Sequence, residues 1–182
     1  MHTGHDRARR ELGRSSHGRS SRRAHPGRDG TNKDFPTGNP ALTDAQNLAE
    51  RARPASILIV EDNVSNFVLM ARMLGYSGYH CEWKTSGYEV VEYAATLPRV
   101  DLILMDIRLP YEDGFSALRK LRASEVWKNV PVAAVTAYAS EDQMSRARAA
   151  GFNGFIGKPL DPDRFPDQVR RLLAGEAVWE IQ

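Results

Sequence analysis

The apolar run Leu-Ile-Leu-Met at residues 102 to 105, which ends at Asp106, constrains the fold more than any other stretch of the chain. A continuous apolar run bounded by turn residues is typical of a strand that is buried on both faces, as in parallel sheets. Asp106 then stands at the carboxyl end of the strand, which is the edge of an open α/β sheet where ligands bind. A single Asp at such a place commonly only caps a turn, so its role depends on its surroundings.

Further strands and helices alternate on both sides of this run. Strands are predicted for the segments SILIV, YHCEWK, VPVAAVTA and GFIGKP. Helices are predicted for VSNFVLMARMLGY, GYEVVEYAATL, residues 114 to 123, and SEDQMSRARAAG with Ser140 as its cap and Gly151 at its end. A last helix is predicted from near Asp163 to Ala174, with Asp163 a better cap than Asp161 because Pro166 fits only the first turn. Five strands that alternate with five helices predict a doubly wound parallel α/β sheet with helices on both faces.

The first 54 residues differ in composition from the rest of the chain. Residues 1 to 54 carry 11 Lys and Arg against 6 Asp and Glu, whereas residues 55 to 182 carry 14 against 17. Because residues 1 to 54 are rich in Gly, Ser, Arg, His and Pro and lack a helical or alternating period, we expect a disordered basic N-terminal arm. The arm either contacts nucleic acid or an acidic partner, or is a solvated tail or a misplaced start. The second interpretation is favoured because no aromatic residue stands among the arginines to stack on bases.

Several classes of protein are excluded by what the sequence lacks. Cys81 is the single cysteine, so an intramolecular disulfide and paired-cysteine metal or redox motifs are excluded. No apolar run approaches the roughly 18 residues that a membrane span requires. The Arg-rich start also lacks the apolar core of a signal peptide, so we expect a cytoplasmic protein that does not bind membranes.

Five polar residues follow the predicted strands and fall at one edge of the sheet: Glu61, Asp62, Asp106, Thr136 and Lys158. Three carboxylates that crowd together resist ionising unless a hard cation neutralises them, and clustered oxygen ligands suit Mg²⁺. A carboxylate that stays partly free can act as a nucleophile toward phosphorus, and Asp106 is our choice. Lys158 and Thr136 would then stabilise the charge on the phosphoryl group.

These residues and their spacing resemble the receiver domains of two-component response regulators. The segments LIVEDN, LILMDIRLPYEDG, AAVTAYA and GFIGKP are similar to the four signature segments of that family and occur in the same order. The resemblance covers residues 55 to 174 and implies a five-stranded sheet of order 2-1-3-4-5. It further implies that Asp106 accepts a phosphoryl group from a sensor histidine kinase or a histidine phosphotransfer protein. Mg²⁺ would be held by Glu61, Asp62, Asp106 and the backbone carbonyl of Arg108, and Lys158 would pair with the phosphoryl group and precede a cis peptide to Pro159.

The resemblance also implies a phosphorylation switch. Thr136 would move toward the phosphoryl group, and Phe155 would rotate inward, which changes the face formed by helix 4, strand 5 and helix 5. A downstream protein would contact this face, and a homodimer is a further expected form of the chain. Phe155 is equally well explained as an ordinary core residue, since a buried phenyl ring needs no further role.

Two parts of the chain keep alternative interpretations. Only 24 residues follow Lys158, which predicts a stand-alone receiver with a short tail, residues 175 to 182. Trp179 and Ile181 in this tail either dock on the domain or bind a partner. The side chains of Arg108 and Tyr138 either shield the acyl phosphate from water, which predicts slow self-dephosphorylation, or serve partner recognition.

Rival functions are weighed by the residues that each one requires. A phosphatase of the haloacid dehalogenase class needs a second Asp where Arg108 stands, and a dinucleotide site needs a glycine-rich turn that is missing after the first strand. A pseudo-receiver that works without phosphorylation, and an adaptor that contacts nucleic acid through its basic arm, remain as alternatives. The predicted regulatory protein assists its own phosphorylation and slow dephosphorylation but is not an enzyme.

Overall fold

Strands and helices alternate strictly along residues 53 to 181, which are the residues that the computed structural model describes. The strands are β1 (Ser56–Val60), β2 (His80–Lys84), β3 (Leu102–Met105), β4 (Val132–Thr136), β5 (Gly154–Gly157) and β6 (Val178–Glu180). The helices are α1 (Val64–Tyr76), α2 (Val90–Thr96), α3 (Gly114–Ala123), α4 (Glu141–Ala150) and α5 (Phe165–Leu173).

The strands form one parallel sheet of order β2-β1-β3-β4-β5-β6. Every residue of β1, β3, β4 and β5 is buried, because helices cover both faces of the sheet. This double covering explains why these strands are continuous apolar runs without alternating polar residues. The predicted doubly wound α/β fold is confirmed, and the order of its first five strands is the predicted one.

The core consists of two apolar layers, one on each face of the sheet. Leu58 and Val60 face a layer to which α2, α3 and α4 contribute, whereas Ile57 and Ile59 face a layer to which α1 and α5 contribute. This division follows from the period of two along a strand, which sends successive side chains to opposite faces.

The predicted count of five strands was wrong, because part of the tail forms a sixth. Residues Val178–Glu180 pair in parallel with β5, so Trp179 lies beside Phe155. Val178 is fully buried, and Trp179 and Ile181 pack against the apolar layer that contains Phe155. The tail therefore docks on the domain in this structure. Three residues are too short a strand to give a clear sequence signal, and their pairing depends on a neighbour far along the chain.

The helix limits match the sequence closely, with exceptions at α2, which starts at Val90 and not at the predicted Gly87, and at α5. Helices α1 and α3 span the predicted residues, and α4 has Ser140 as its cap and Gly151 in the left-handed conformation at its end. Helix α5 starts at Phe165, with Arg164 at its N-cap position. The prediction that Asp163 caps this helix was wrong. The Asp161 carboxylate accepts the backbone N–H groups of Asp163 and Arg164, because one further turn precedes the helix. The Lys158–Pro159 peptide bond is cis, as the family resemblance implied.

The predicted basic arm lies outside the described residues, apart from its last two positions. Within residues 53 to 181, none of the helices combines the length and the apolar character that crossing a bilayer requires.

Arg122 ties three segments together on the side of the sheet that faces α3. Its guanidinium donates to the carbonyl oxygens of Lys128, Val130 and Gly151 and to Oδ1 of Asn153, at distances of 2.7 to 3.3 Å. The same Oδ1 atom of Asn153 accepts the first N–H of β4. Burial lowers the pKa of Arg122 because these partners are neutral carbonyl groups. A planar group with five donors is therefore needed here.

We expect Arg122→Lys to lower the free energy of unfolding by about 1.5 to 3 kcal/mol, since an ammonium cannot reach all of these acceptors. Chemical denaturation followed by circular dichroism measures the change. Arg119→Lys on the same helix is the matched control. Its guanidinium contacts the Ser116 hydroxyl, and its replacement should change stability by less than about 0.5 kcal/mol. Equal effects of the two variants would contradict the role given to Arg122.

Candidate functional site

The carboxyl ends of four strands bring polar side chains to one edge of the sheet. Glu61 follows β1, Asp106 follows β3, Thr136 ends β4, and Lys158 follows β5. The backbone fixes their relative height, because the Asp106 N–H donates to the Val60 carbonyl at 2.9 Å and the Lys158 N–H donates to the Thr136 carbonyl at 2.9 Å. The parallel register therefore places these residues at the same level.

The centre of the site is the ammonium group of Lys158. Its Nζ atom donates to Oε2 of Glu61 at 2.5 Å and to Oδ2 of Asp106 at 2.7 Å. The three side chains are only 10%, 2% and 10% exposed, in the order Lys158, Glu61 and Asp106. Burial alone would lower the pKa of Lys158, but the hydrogen bonds and negative charges of the two carboxylates outweigh burial and raise it. Lys158 is therefore held in its charged form.

The remaining carboxylate oxygens also have defined partners. Oε1 of Glu61 accepts from the Asn63 N–H at 3.1 Å and from Nδ2 of Asn66 at 3.0 Å. Oδ1 of Asp106 accepts from the Arg108 N–H at 3.0 Å. The contribution of Asn63 and Asn66 to the site was missed from the sequence. Asn63 also caps α1, so the signal that could have found it was its position just before a predicted helix.

Asp62 does not join this cluster. It is exposed, whereas its neighbour Glu61 is buried. Along residues 53 to 181, no three acidic, histidine or cysteine side chains are gathered closely enough to form a metal site as they stand. The chemistry of the donors nevertheless fits a hard cation. Two buried carboxylates share one ammonium, which leaves a net negative charge, and the nearby Asp62 carboxylate adds another.

Thr136 and Phe155, the two predicted switch residues, are both fully buried. The Thr136 hydroxyl oxygen accepts the Tyr138 N–H at 3.3 Å, and the Phe155 ring lies in the apolar layer beside α4. Phe155 is already fully buried in this structure, as an ordinary core residue is, whereas an inward rotation would start from a more exposed ring.

Arg108 and Tyr138, for which the sequence predicts either shielding of the acyl phosphate or partner recognition, contact each other. The Cζ atom of Arg108 lies 3.4 Å from the centre of the Tyr138 ring, which is a stacked cation–π arrangement. Both side chains are exposed, and they start two residues after Asp106 and Thr136 respectively. The stack thus connects the loop after β3 with the loop after β4.

Helix α1 exposes apolar side chains next to the site. Val64, Val68, Leu69 and Tyr76 are between 46% and 85% exposed. Leu69 also lines a small cleft beside Lys158 and Pro159, so the apolar surface of α1 continues to the site.

Comparisons with known proteins agree with this geometry. Residues 57 to 170 match the model of the response regulator receiver domain. The polar-differentiation response regulator DivK of Brucella anthropi is 36% identical over 120 residues, which cover 66% of this chain and 97% of that protein.

Two solved structures are similar over the same region. A receiver domain of a Pseudomonas aeruginosa sensor histidine kinase, with a magnesium ion coordinated in its active site cleft, is 36% identical with a TM-score of 0.61. The match covers 66% of this chain and 98% of that one. The chemotaxis protein CheY4 of Vibrio cholerae is 26% identical with a TM-score of 0.61, over 65% of this chain and 98% of that one.

Gly114 allows the backbone that carries Asp106 to pack closely. A Cβ atom at Gly114 would lie 2.5 Å from the Asp106 carbonyl oxygen, which is too close for any side chain.

We expect Gly114→Ala to lower the free energy of unfolding by about 1 to 3 kcal/mol, because the Asp106 backbone must move. In Gly75→Ala, the matched helical control, the new methyl group meets no atom within 4 Å. This control should gain about 0.5 to 1 kcal/mol. Urea unfolding measures both variants, and an undisturbed Gly114→Ala would show that the packing is looser.

Proposed function

The chain belongs to the response regulator receiver family, and from that premise we propose that phosphorylation of Asp106 switches its partner-binding face. The family resemblance drawn from the sequence is confirmed by these matches. Receiver domains serve phosphorylation-dependent signalling in two-component systems. The proposed phosphoryl donor is a histidine of a sensor kinase or of a histidine phosphotransfer protein. The chain is a regulatory phosphoacceptor and not a turnover enzyme, and its proposed location is the cytoplasm.

The pairing of Asp106 with Lys158 supports this proposal most directly. A carboxylate oxygen of Asp106 attacks the phosphorus of the phosphohistidine. The new O–P bond forms while the N–P bond breaks, and the imidazole nitrogen leaves with the electron pair. The ammonium of Lys158 already lies 2.7 Å from Oδ2 of Asp106, so it is placed to balance negative charge on the transferring group. The backbone N–H of Arg108 orients the same carboxylate through Oδ1.

Mg²⁺ is the cation that we propose for this site. Its ligands would be Glu61, Asp62, Asp106 and the backbone carbonyl of Arg108, which are all hard oxygen donors. When bound, the ion would neutralise the carboxylates and the charge on the phosphoryl oxygens. The magnesium ion in the Pseudomonas aeruginosa receiver domain supports this assignment.

Thr136 and Phe155 are the proposed switch. The Thr136 hydroxyl would hydrogen-bond the phosphoryl group, and Phe155 would adjust to the space that the threonine leaves. Phe155 lies on β5 between α4 and α5, so its movement would alter the face that these elements form. A downstream protein or a second copy of the chain would recognise that face, and the exposed apolar side chains of α1 support contact with the phosphodonor protein.

Two other functions are tested against this one. A pseudo-receiver would take no phosphoryl group, but it would have no need to bury Lys158 between Glu61 and Asp106. An adaptor that uses its basic arm would bind nucleic acid in a salt-sensitive manner that disappears without residues 1 to 54.

We expect acetyl phosphate with Mg²⁺ to add one phosphoryl group to the full chain, as measured by intact mass. Asp106→Asn should abolish labelling because the nucleophile is lost, and Asp62→Ala should abolish it because a metal ligand is lost. Asp142→Asn, which changes an exposed carboxylate on α4, is the control and should be labelled normally. Labelling that persists in Asp106→Asn would contradict the assigned nucleophile, and an unlabelled wild-type chain would favour the pseudo-receiver.

The stack of Arg108 on Tyr138 leads to a prediction about the lifetime of the acyl phosphate. Hydrolysis needs a water molecule in line with the Asp106 oxygen–phosphorus bond, and the stacked pair would cover this path. We expect Arg108→Ala and Tyr138→Ala each to accelerate loss of the phosphoryl group about tenfold, which corresponds to roughly 1.4 kcal/mol in the barrier. Because the two side chains cover the path as one unit, the double variant should be little faster than either single one.

Decay of the phosphorylated chain, timed by mass spectrometry, measures these rates. Tyr138→Phe keeps the ring and should decay like the wild type, and so should Tyr111→Ala, which removes an exposed tyrosine that is not stacked on Arg108. Wild-type rates in both alanine variants at Arg108 and Tyr138 would assign these residues to a partner interface instead.

A further inference from the structure

Strand β6 covers the outer edge of β5, which is the centre of the proposed output face. Its backbone pairs with β5 residue by residue, and its side chains then alternate between the two flanking helices. Trp179 points to the α4 side, and Val178 and Glu180 point to the α5 side. The chain's own C-terminal segment thus contacts all three elements of this face.

On the α4 side, Trp179 makes two kinds of contact. The guanidinium of Arg148 lies 4.4 Å from the centre of the Trp179 ring, and the ring packs on the apolar layer that contains Phe155. Phe155 is also the residue beside Trp179 in the sheet. A movement of Phe155 would therefore act on the residue of β6 that is in contact with α4.

On the α5 side, Glu180 is held by polar groups from one helix and the turn before it. Its carboxylate accepts from Gln168 at 2.7 Å, from Arg164 at 2.6 Å and from Arg171 at 3.1 Å. The hydrogen bond from Gln168, together with that from Arg171 and the charges of Arg164 and Arg171, lowers the pKa of Glu180. These contacts lie at the surface, where the Arg164 side chain is 56% exposed.

The domain is shaped to receive this strand. A Cβ atom at Gly154 would lie 2.8 Å from the Val178 carbonyl oxygen and 2.7 Å from Cδ2 of Leu172. Only glycine therefore permits β6 to lie so close to β5 at this point. Gly175, with a positive φ of 84°, turns the chain from α5 toward β6.

We propose that residues 176 to 181 form a latch over the α4–β5–α5 face, which opens independently of the rest of the domain and which a protein partner of that face must displace. The latch is short, and only Val178 among its strand residues is fully buried, so it has few buried contacts to lose when it opens. A second step of this proposal rests on the proposed function: phosphorylation of Asp106 releases the latch through Phe155 and Trp179.

Amide hydrogen exchange of the full chain, measured by mass spectrometry at increasing low denaturant concentrations, tests the independent opening. Exchange in residues 176 to 181 should be nearly insensitive to denaturant, whereas exchange in β3 should require global unfolding. Glu180→Gln should accelerate exchange of the latch about tenfold without changing β3, because it removes the negative charge and turns one of the two acceptor oxygens into a donor NH2 group. Asp167→Asn, which changes an exposed carboxylate of α5 that pairs with Arg170 and lies outside the latch, is the control. A latch that exchanges only with β3 overturns the proposal.

The coupling is tested by repeating the exchange after acetyl phosphate and Mg²⁺ treatment, with phosphorylation of the same sample measured by intact mass. Phosphorylated chains should exchange residues 176 to 181 about fivefold faster or more, while β2 at the opposite edge stays unchanged. Asp106→Asn should show no acceleration. Full phosphorylation with unchanged exchange overturns the release mechanism alone. A chain that takes no phosphoryl group contradicts the proposed function, and the release falls with it, while the denaturant series still decides whether the latch exists.

Discussion

The buried contact of one ammonium with two carboxylates is the interaction on which the rest of the structure depends. An unpaired charge at this depth would cost several kcal/mol, so Lys158, Glu61 and Asp106 have to reach one another. They follow β5, β1 and β3, and β4 lies between β5 and β3. Lys158 must therefore cross the end of β4, where the small side chain of Thr136 leaves room. The ion cluster thus forms only where these strands are parallel and lie in this order.

Most of the fold was predictable because its strongest signals are local. Strands that are buried on both faces are continuous apolar runs, and helix ends such as Ser140 and Gly151 have their own residue preferences. Strand β6 was not predictable in this way. Its pairing depends on Gly154 and on charged side chains of α5, and nothing in a run of three residues reveals such distant partners. The capping role of Asp161 in place of Asp163 was likewise not predictable, because it depends on one extra turn before α5.

The convergence of the site residues followed from the topology, but their contacts did not. Parallel strands end at the same edge, so Glu61, Asp106 and Lys158 had to lie near one another. Which side chains meet depends on rotamers and on the direction of each residue. Asp62 is adjacent to Glu61 in the sequence, yet it is exposed and takes no part in the buried cluster. The same holds for the stack of Arg108 on Tyr138, since spacing places both residues near the site without indicating that they touch.

Strand β5 connects the site with the proposed partner-binding face. Lys158 follows its carboxyl end, and Phe155 lies three residues earlier, which is about 10 Å along a strand. All four residues of β5 are buried between helices, so the strand itself has little freedom to move. Strand β6 is held at the surface by Glu180 and by the Arg148–Trp179 contact, and it can yield at lower cost. A change at Asp106 that reaches β5 would therefore be expressed at the sheet edge, through β6, and not in the core.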